Sequence, residues 1–350
     1  MNRGYRGSGQ PRVPVDRNPG AAQRVPPSGR ESRRARSAGF VFLAGWETAR
    51  RLPEGVALAC ADLSGWLAWR LSRKLRAGVR RNLARVVLAQ DLDATAREAF
   101  RSYARYWVES FRCVDLDAED LDQRTTTAGF EHLDAALAEG KGVIVLLAHH
   151  GSWDVAARWA EDHGYHMAAV AEVLEPRRLF ERFVQLREAV GLEIVPLGQS
   201  GGGDGAGRSS RGATMRLARV LAANHLVGLL SDRDVGGSGV PVRLFGEDAP
   251  LPRGPVVLSQ RTGAPIVPIT MLQRPGGRWH LQVLPPLDVG GLAIEEGVQL
   301  VAEAIERLVR LAPEQWHAFS PIFAADREPG SGSTRGPYPR GRIASGGGRR

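Results

Sequence analysis

Gly142-Val143-Ile144-Val145-Leu146-Leu147-Ala148-His149-His150-Gly151-Ser152-Trp153-Asp154 decides the architecture of this chain. The run from Gly142 to Ala148 is apolar without a break and reads as a strand buried on both faces. It ends on two histidines, a glycine and, a short turn later, an acid. Working outward, helices and strands alternate on both sides. A helix around Phe130–Glu139 stops at Gly140. After the strand, a helix from Ser152 to Glu161 leads to a strand at His166–Ala171. Pro176 opens a helix reaching Val190, and Leu192–Val195 is the next strand. A helix near Ala213–Ala223 feeds the strand Leu226–Leu230, and a helix at Pro255–Arg261 precedes Ile266–Ile269. Such alternation predicts an α/β fold, a mostly parallel central sheet flanked by helices.

Upstream of Gly129 the pattern is helical. Phe40–Trp46 opens a segment running to Pro53, and a second segment spans Val56 to about Leu75. Residues 70–85 carry Arg70, Arg73, Lys74, Arg76, Arg80, Arg81 and Arg85 with no acid, directly after Trp66 and Trp69. That composition predicts a membrane-associating segment, with arginines at lipid phosphates and both tryptophans at headgroup depth. The competing reading is a solvated face on a helical subdomain. A further helix, with Asp93 as its N-cap, places Tyr103, Tyr106, Trp107 and Phe111 at the spacing of a packed face.

The net charge of +9 is misleading as a whole. Residues 1–38 hold nine arginines against Asp16 and Glu31, a net +7, and residues 329–350 hold five arginines and no acid. The stretch 39–328 is therefore about −3, which argues against a nucleic-acid-binding core. Both ends, rich in Gly, Pro, Ser and Arg, read as disordered basic tails. The organisation expected is tail 1–38, one domain over 39–328 with N-terminal helices at 39–113 and an α/β core at 128–325, and tail 329–350. Cys60 and Cys113 are the only cysteines, too few for a disulfide framework or a Cys-based zinc site. No secretory signal precedes residue 39, and no run of about 18–20 apolar residues could span a bilayer. The expected location is the cytosol or a membrane surface. The glycine-rich stretch Gly198–Gly212 lacks the Gly-Lys-Ser/Thr ending of a phosphate loop and reads as a flexible surface insertion.

Chemistry is expected where strands end, because ligands of open α/β sheets bind at the carboxyl edge. An imidazole titrates near neutrality and can take a proton from a hydroxyl, provided a carboxylate fixes its tautomer. His149 and Asp154, with four residues between them, can meet in that way across the strand-to-helix turn. Ser152 is a weaker nucleophile candidate, since no Gly-x-Ser-x-Gly elbow surrounds it. A second cluster, Ser231-Asp232-Arg233-Asp234, follows another apolar strand; its acids could hold sugar hydroxyls, a metal, or the arginine between them.

The ordered set of His149 and Asp154, Asp232-Arg233-Asp234, Phe245-Gly246-Glu247 with Pro252-Arg253-Gly254-Pro255, and Trp316-His317 resembles the lipid A acyltransferase-like superfamily. Within it the sequence looks most like the phosphatidylinositol mannoside acyltransferases of actinobacteria. Val79–Val86 and Ser102–Trp107 look like the N-terminal helices of that family, so the likeness runs from about Gly39 to Ala325. The resemblance implies transfer of a long-chain acyl group from acyl-CoA to a mannose hydroxyl of a phosphatidylinositol mannoside, at the cytoplasmic face of the membrane and on an anionic surface. It implies His149, rather than His150, as the base, Asp154 as its support, and Asp232 in the catalytic centre near the sugar. It implies Arg187, Ser238 and Arg261 beside His149 in the acyl-CoA site, and Glu172, with Arg233 and Asp234, toward the acceptor. Acyl-CoA is a substrate, and no cofactor, metal or covalent enzyme intermediate is needed; the sequence does not identify the oxyanion donor, for which a backbone N–H of the turn after His149 is one candidate. The alternatives are another glycolipid or phospholipid acceptor, a metal-dependent hydrolase built on His149, His150, Asp154, Asp232 and Asp234, and a non-enzymatic lipid-binding protein.

Overall fold

The computed structural model describes residues 44–172, 177–197, 204–234 and 237–327. Its strands are β1 (Thr125–Ala128), β2 (Val143–Leu147), β3 (Met167–Glu172), β4 (Glu193–Leu197), β5 (Leu226–Leu230), the hairpin pair β6 (Val240–Leu244) and β7 (Glu247–Leu251), β8 (Ile266–Arg274) and β9 (Arg278–Val283). Seven of them form one sheet in the order β1-β9-β8-β2-β5-β3-β4, and β6–β7 stand apart. Only the β8–β9 pairing within the large sheet is antiparallel. The expected α/β layering with a mostly parallel sheet is what the chain adopts.

β2 shows why. Ile144 and Leu146 point into one core, shared with Val256 and Leu258 and with Val298, Val301 and Ile305. Val143 and Val145 point into a second core with Leu133, Val155, Trp159 and Val190. An apolar run with no polar partner face is the signature of a strand covered on both sides. The covering helices follow from the chain order. Helices α6 (Glu131–Ala138), α7 (Trp153–Asp162) and α8 (Arg177–Ala189) contribute to the second core; α10 (Gly254–Thr262) and α11 (Ile294–Arg310) contribute to the first, as does α9 (Asp204–Ala222) through Leu217 and Leu221. α9 begins at Asp204, so most of the glycine-rich stretch after residue 203 is helical rather than an open insertion; residues 198–203, like the two tails, lie outside the described residues.

Residues 44–51 form α1, followed by α2 (Glu54–Leu71), α3 (Arg73–Leu83), α4 (Leu92–Arg112) and α5 (Ala118–Arg124). Three expectations change here. Asp93 sits in the first turn of α4 instead of capping it, and pairs with Arg80. Trp69 is buried, edge-on against Phe100, with Arg76 over its ring; it is packing, not a headgroup contact. Arg85 is half-buried between Glu247 and Asp326 and over Phe323. Arg73, Lys74 and Arg81 stay exposed, and Arg70 lies over Trp66. Val56, Leu63, Trp66, Leu67 and Leu71 of α2 are exposed. Among the described residues, no helix is long and apolar enough to cross a membrane.

The segment Val79–Val86 has a definite task. The Asn82 side chain, fully buried, donates from Nδ2 to the carbonyls of Ala318 (2.7 Å) and Ser320 (2.9 Å). α3 thereby clasps the C-terminal segment that follows α11. Asn82→Ala leaves both carbonyls unsatisfied in the interior, where each such loss costs about 1–3 kcal/mol. Urea unfolding should show a drop of that size, with the transition slope unchanged.

Candidate active site

Leu147 and Leu230 are register partners at the ends of the adjacent parallel strands β2 and β5. Two residues beyond each lie His149 and Asp232, so the strand pairing itself sets them side by side at the carboxyl edge. His149 Nδ1 lies 2.6 Å from Asp232 Oδ1. The second oxygen of Asp232 accepts from the indole N–H of Trp316 at 2.9 Å. Asp232 is 1% exposed, whereas the His149 side chain is 17% exposed, so the ring is open to a ligand while its acid is not. Arg233 Nη2 donates to His149 Nε2 at 2.9 Å. A guanidinium has no lone pair to offer. Nε2 is therefore unprotonated and the ring proton sits on Nδ1, directed at Asp232.

The turn that carries His149 is held from both sides. The carbonyl of His149 accepts from the His317 amide, Gly151 N–H donates to Gln315 O, and Ser152 N–H donates to Met271 O. Gly151 has φ +65, and a side chain there would run into the carbonyl of Met271, so only glycine fits. His150 points the other way. It is 1% exposed, with Nδ1 on Thr270 Oγ1 and Nε2 on the carbonyl of Ala312. The His150 amide turns back onto Ala148 O. The amides of His150, Gly151 and Ser152 are thus all engaged, and none of these three candidate N–H groups is left for an oxyanion.

Asp154 is not the partner of His149. Its oxygens take the hydroxyl of Tyr106 (2.7 Å) and Arg187 Nε (3.0 Å), a buried cluster joining α4, α7 and α8. Four intervening residues allow the contact, but the helix that starts at Trp153 carries the carboxylate toward α4 instead. Arg187, expected at the acyl donor, is spent on that pair, though its side chain stays 22% exposed. Ser152 is fully buried and donates to the Glu109 carboxylate, away from His149.

The remaining expected residues scatter. Asp234 accepts from the amides of Gly237 and Gly239 at 3.0 Å each and lies 4.0 Å from Arg327, so it builds the loop bearing the exposed Ser238. Arg261 is exposed near the end of α10, three residues from which β8 begins. β8 runs parallel to β2, which puts Arg261 at the amino edge of the sheet, opposite His149. The Glu172 backbone ends β3, and its side chain lies outside the described residues. Among the described residues, no three His, Cys, Asp or Glu side chains converge as metal ligands. Trp316, known beforehand only as part of a motif, is the member of the site whose task needed the structure.

Charge follows burial. Burial, then the Arg233 cation, hold His149 below the usual imidazole value, against the pull of Asp232. Asp232 is held below the usual carboxylate range by His149 and Arg233 despite its burial. Burial lowers His150 to about 4 and also depresses His317 strongly.

A sequence model described as bacterial lipid A biosynthesis acyltransferase matches residues 27–324. The phosphatidylinositol mannoside acyltransferase of Mycolicibacterium smegmatis is 34% identical over 288 residues, 81% of this chain and 91% of that protein. A protein of the same name from Mycobacterium tuberculosis is 33% identical over 310 residues, 87% of this chain and 94% of its own.

The histidines predict acid lability. Each of His149, His150 and His317 binds a proton more weakly folded than unfolded, so stability is whole above the unfolded value of about 6.5 and falls as pH drops below it. Each proton taken up on unfolding contributes a slope of about 1.4 kcal/mol per pH unit, and for His150 the loss continues down to about pH 4. Denaturant midpoints at pH 7 and pH 4.5 check this; equal midpoints would contradict it.

Proposed function

The chain belongs to the bacterial lipid A biosynthesis acyltransferase family, and from that premise we propose that it moves a long-chain acyl group from acyl-CoA to a mannose hydroxyl of a phosphatidylinositol mannoside. The observation that carries the mechanism is the His149–Asp232 pair at the shared edge of β2 and β5, with Nε2 unprotonated under Arg233 and the His149 side chain partly exposed. The acceptor hydroxyl takes the place of Arg233 at Nε2. His149 removes its proton as the oxygen attacks the thioester carbonyl. The tetrahedral intermediate collapses and expels CoA thiolate, which the proton on His149 can follow. Asp232 holds the tautomer and stabilises the imidazolium, and Trp316 keeps the carboxylate in line. Base assistance of this kind supplies about 10²–10⁴-fold, with positioning and charge stabilisation supplying the rest. The names of the two relatives support the mannosylated acceptor, and the chemistry itself asks for no metal.

His149→Ala should abolish transfer of labelled acyl groups from acyl-CoA to phosphatidylinositol mannoside, and Asp232→Asn should lower kcat about 10²–10⁴-fold with the fold intact. His150→Ala should keep measurable transfer. Acyl groups released only to water, or activity that dies with a chelator, would replace this reading by the hydrolase.

The acceptor is a lipid, so the enzyme should work at a bilayer surface. The exposed Leu63, Trp66, Leu67 and Leu71 end beside Arg70, Arg73, Lys74 and Arg81, a pairing of apolar and cationic side chains suited to an anionic leaflet. In the full chain the basic tails also attract lipid, but salt screens them. Trp66→Ser with Leu67→Ser and Leu71→Ser should therefore abolish the salt-resistant fraction bound to anionic liposomes. Retention of that fraction would assign the helices to packing alone.

A further inference from the structure

The reaction needs one lone pair, on His149 Nε2, and Arg233 occupies it. A guanidinium keeps its charge at every accessible pH and cannot accept a proton. The contact also cannot survive the first step: once Nε2 is protonated, two donors and two cations face each other. Base catalysis thus evicts Arg233. Its Nε is buried and has no hydrogen-bond partner among the described residues, so the head retains donor capacity that the resting contact does not use.

Where the head can go is limited. The developing oxyanion forms two bonds from the oxygen that gives its proton to Nε2, and a useful donor must lie about 2.7–3.1 Å from it. The three amides after His149 are committed to Ala148, Gln315 and Met271. Arg187 is bound to Asp154. Arg233, already 2.9 Å from Nε2, is the cation next to the reacting atoms. We propose that Arg233 is a catalytic residue with two positions, at rest on His149 Nε2 and during transfer on the thioester carbonyl oxygen, whose negative charge it stabilises. The inference rests on the acyl-transfer reading above.

The step balances. The acceptor oxygen bonds to the carbonyl carbon, its proton moves to Nε2, and the carbonyl π pair becomes the oxyanion pair held by Arg233. When that pair re-forms the carbonyl, the C–S bond breaks and the thiolate leaves with its electrons. The departing thiolate takes the proton from Nε2, and Arg233 then returns to that nitrogen. The resting contact also protects the base, since a neutral imidazole capped by a cation is a poor target for stray protons.

Other groups act on His149 as well: Asp232 from the end of β5, Arg187 from α8, and the buried His317. The experiment must therefore isolate Arg233. Arg233→Gln and Arg233→Lys are compared with the parent chain in two assays. The first uses no substrate: His149 is titrated by NMR, and its modification by diethyl pyrocarbonate is followed peptide by peptide. Arg233→Gln should raise the pH at which His149 titrates and speed its modification at high pH, where the ring is neutral in every variant. Arg233→Lys should leave both nearer the parent. The second assay follows acyl transfer. Arg233→Gln should lower kcat about 10²–10³-fold, as expected for loss of one oxyanion donor, with little change in KM for acyl-CoA, and lysine should restore part of it. A purely structural role would lower the amount of folded protein without moving the titration of His149. Unchanged titration overturns the resting contact. Transfer within about five-fold of the parent in the glutamine variant overturns the oxyanion role and hands it to the first amides of α7. A parent chain in which His149 titrates as expected but which acylates no glycolipid refutes the acyl-transfer reading instead, and this role of Arg233 falls with it.

Discussion

The parallel pairing of β2 with β5 is the constraint on which the site depends. Leu147 and Leu230 share a register, and the two chains leave the sheet together to present His149 and Asp232 2.6 Å apart. A slip of one residue would move Ile144 and Leu146 out of one core and into the other, exchanging every side chain of a strand buried on both faces. The cost of that exchange is what makes the register exact enough for a hydrogen bond. The geometry of the His149–Asp232 pair is a by-product of core packing, set by the strand register itself.

The second constraint runs through the C-terminal segment. Trp316 reaches Asp232, and the same segment is bonded to the His149 turn through Gln315 and His317. It is clamped in turn by Asn82. Phe245, at the tip of the β6–β7 hairpin, packs on Trp316, while Glu247 and Asp326 share Arg85. Pieces of sequence separated by more than two hundred residues therefore meet around one carboxylate. The arginine-rich helix α3, read from its charge alone as a lipid surface, spends its buried residues on this clasp and keeps only part of its basic face for anything outside the molecule.

What was legible in the sequence follows from which interactions are local. β2 to β5, β8 and the helices between them were readable because apolar runs, glycines and prolines act over a few residues. β9 alternates buried and open positions, yet it is interrupted by Arg278, His280 and Gln282. β1 is the four residues Thr-Thr-Thr-Ala, and β6–β7 carry Pro241 and Pro250; none announces a strand. His149 stood out because it ends a buried strand. Its partner did not, since the nearby acid, Asp154, competes in sequence with a far one, Asp232, and only the order of strands decides between them. Arg261 illustrates the same limit: proximity to a motif along the chain says nothing about which edge of the sheet a helix end reaches. Trp69 and Trp66, three residues apart on α2, face opposite environments that a count of aromatics cannot separate.

Charge balance explains how His149, proposed as the base, would work in a half-buried site. Isolated charges are costly in a site that excludes water. At rest the site holds Asp232 against Arg233 and Asp154 against Arg187, with His149 neutral. Moving a proton onto His149 alone would add a net cation there, which burial and Arg233 both oppose, and this is why its affinity for protons is depressed. Acyl transfer creates an oxyanion in the same step, so the net charge of the site does not change when the proton and the attacking oxygen move together. The arrangement thus disfavours protonation by solvent and permits protonation coupled to attack on a carbonyl. In the proposed step Asp232, short and held at both oxygens, would support the imidazolium, and Arg233, once displaced from His149, would be the counter-charge for the oxygen that forms beside it.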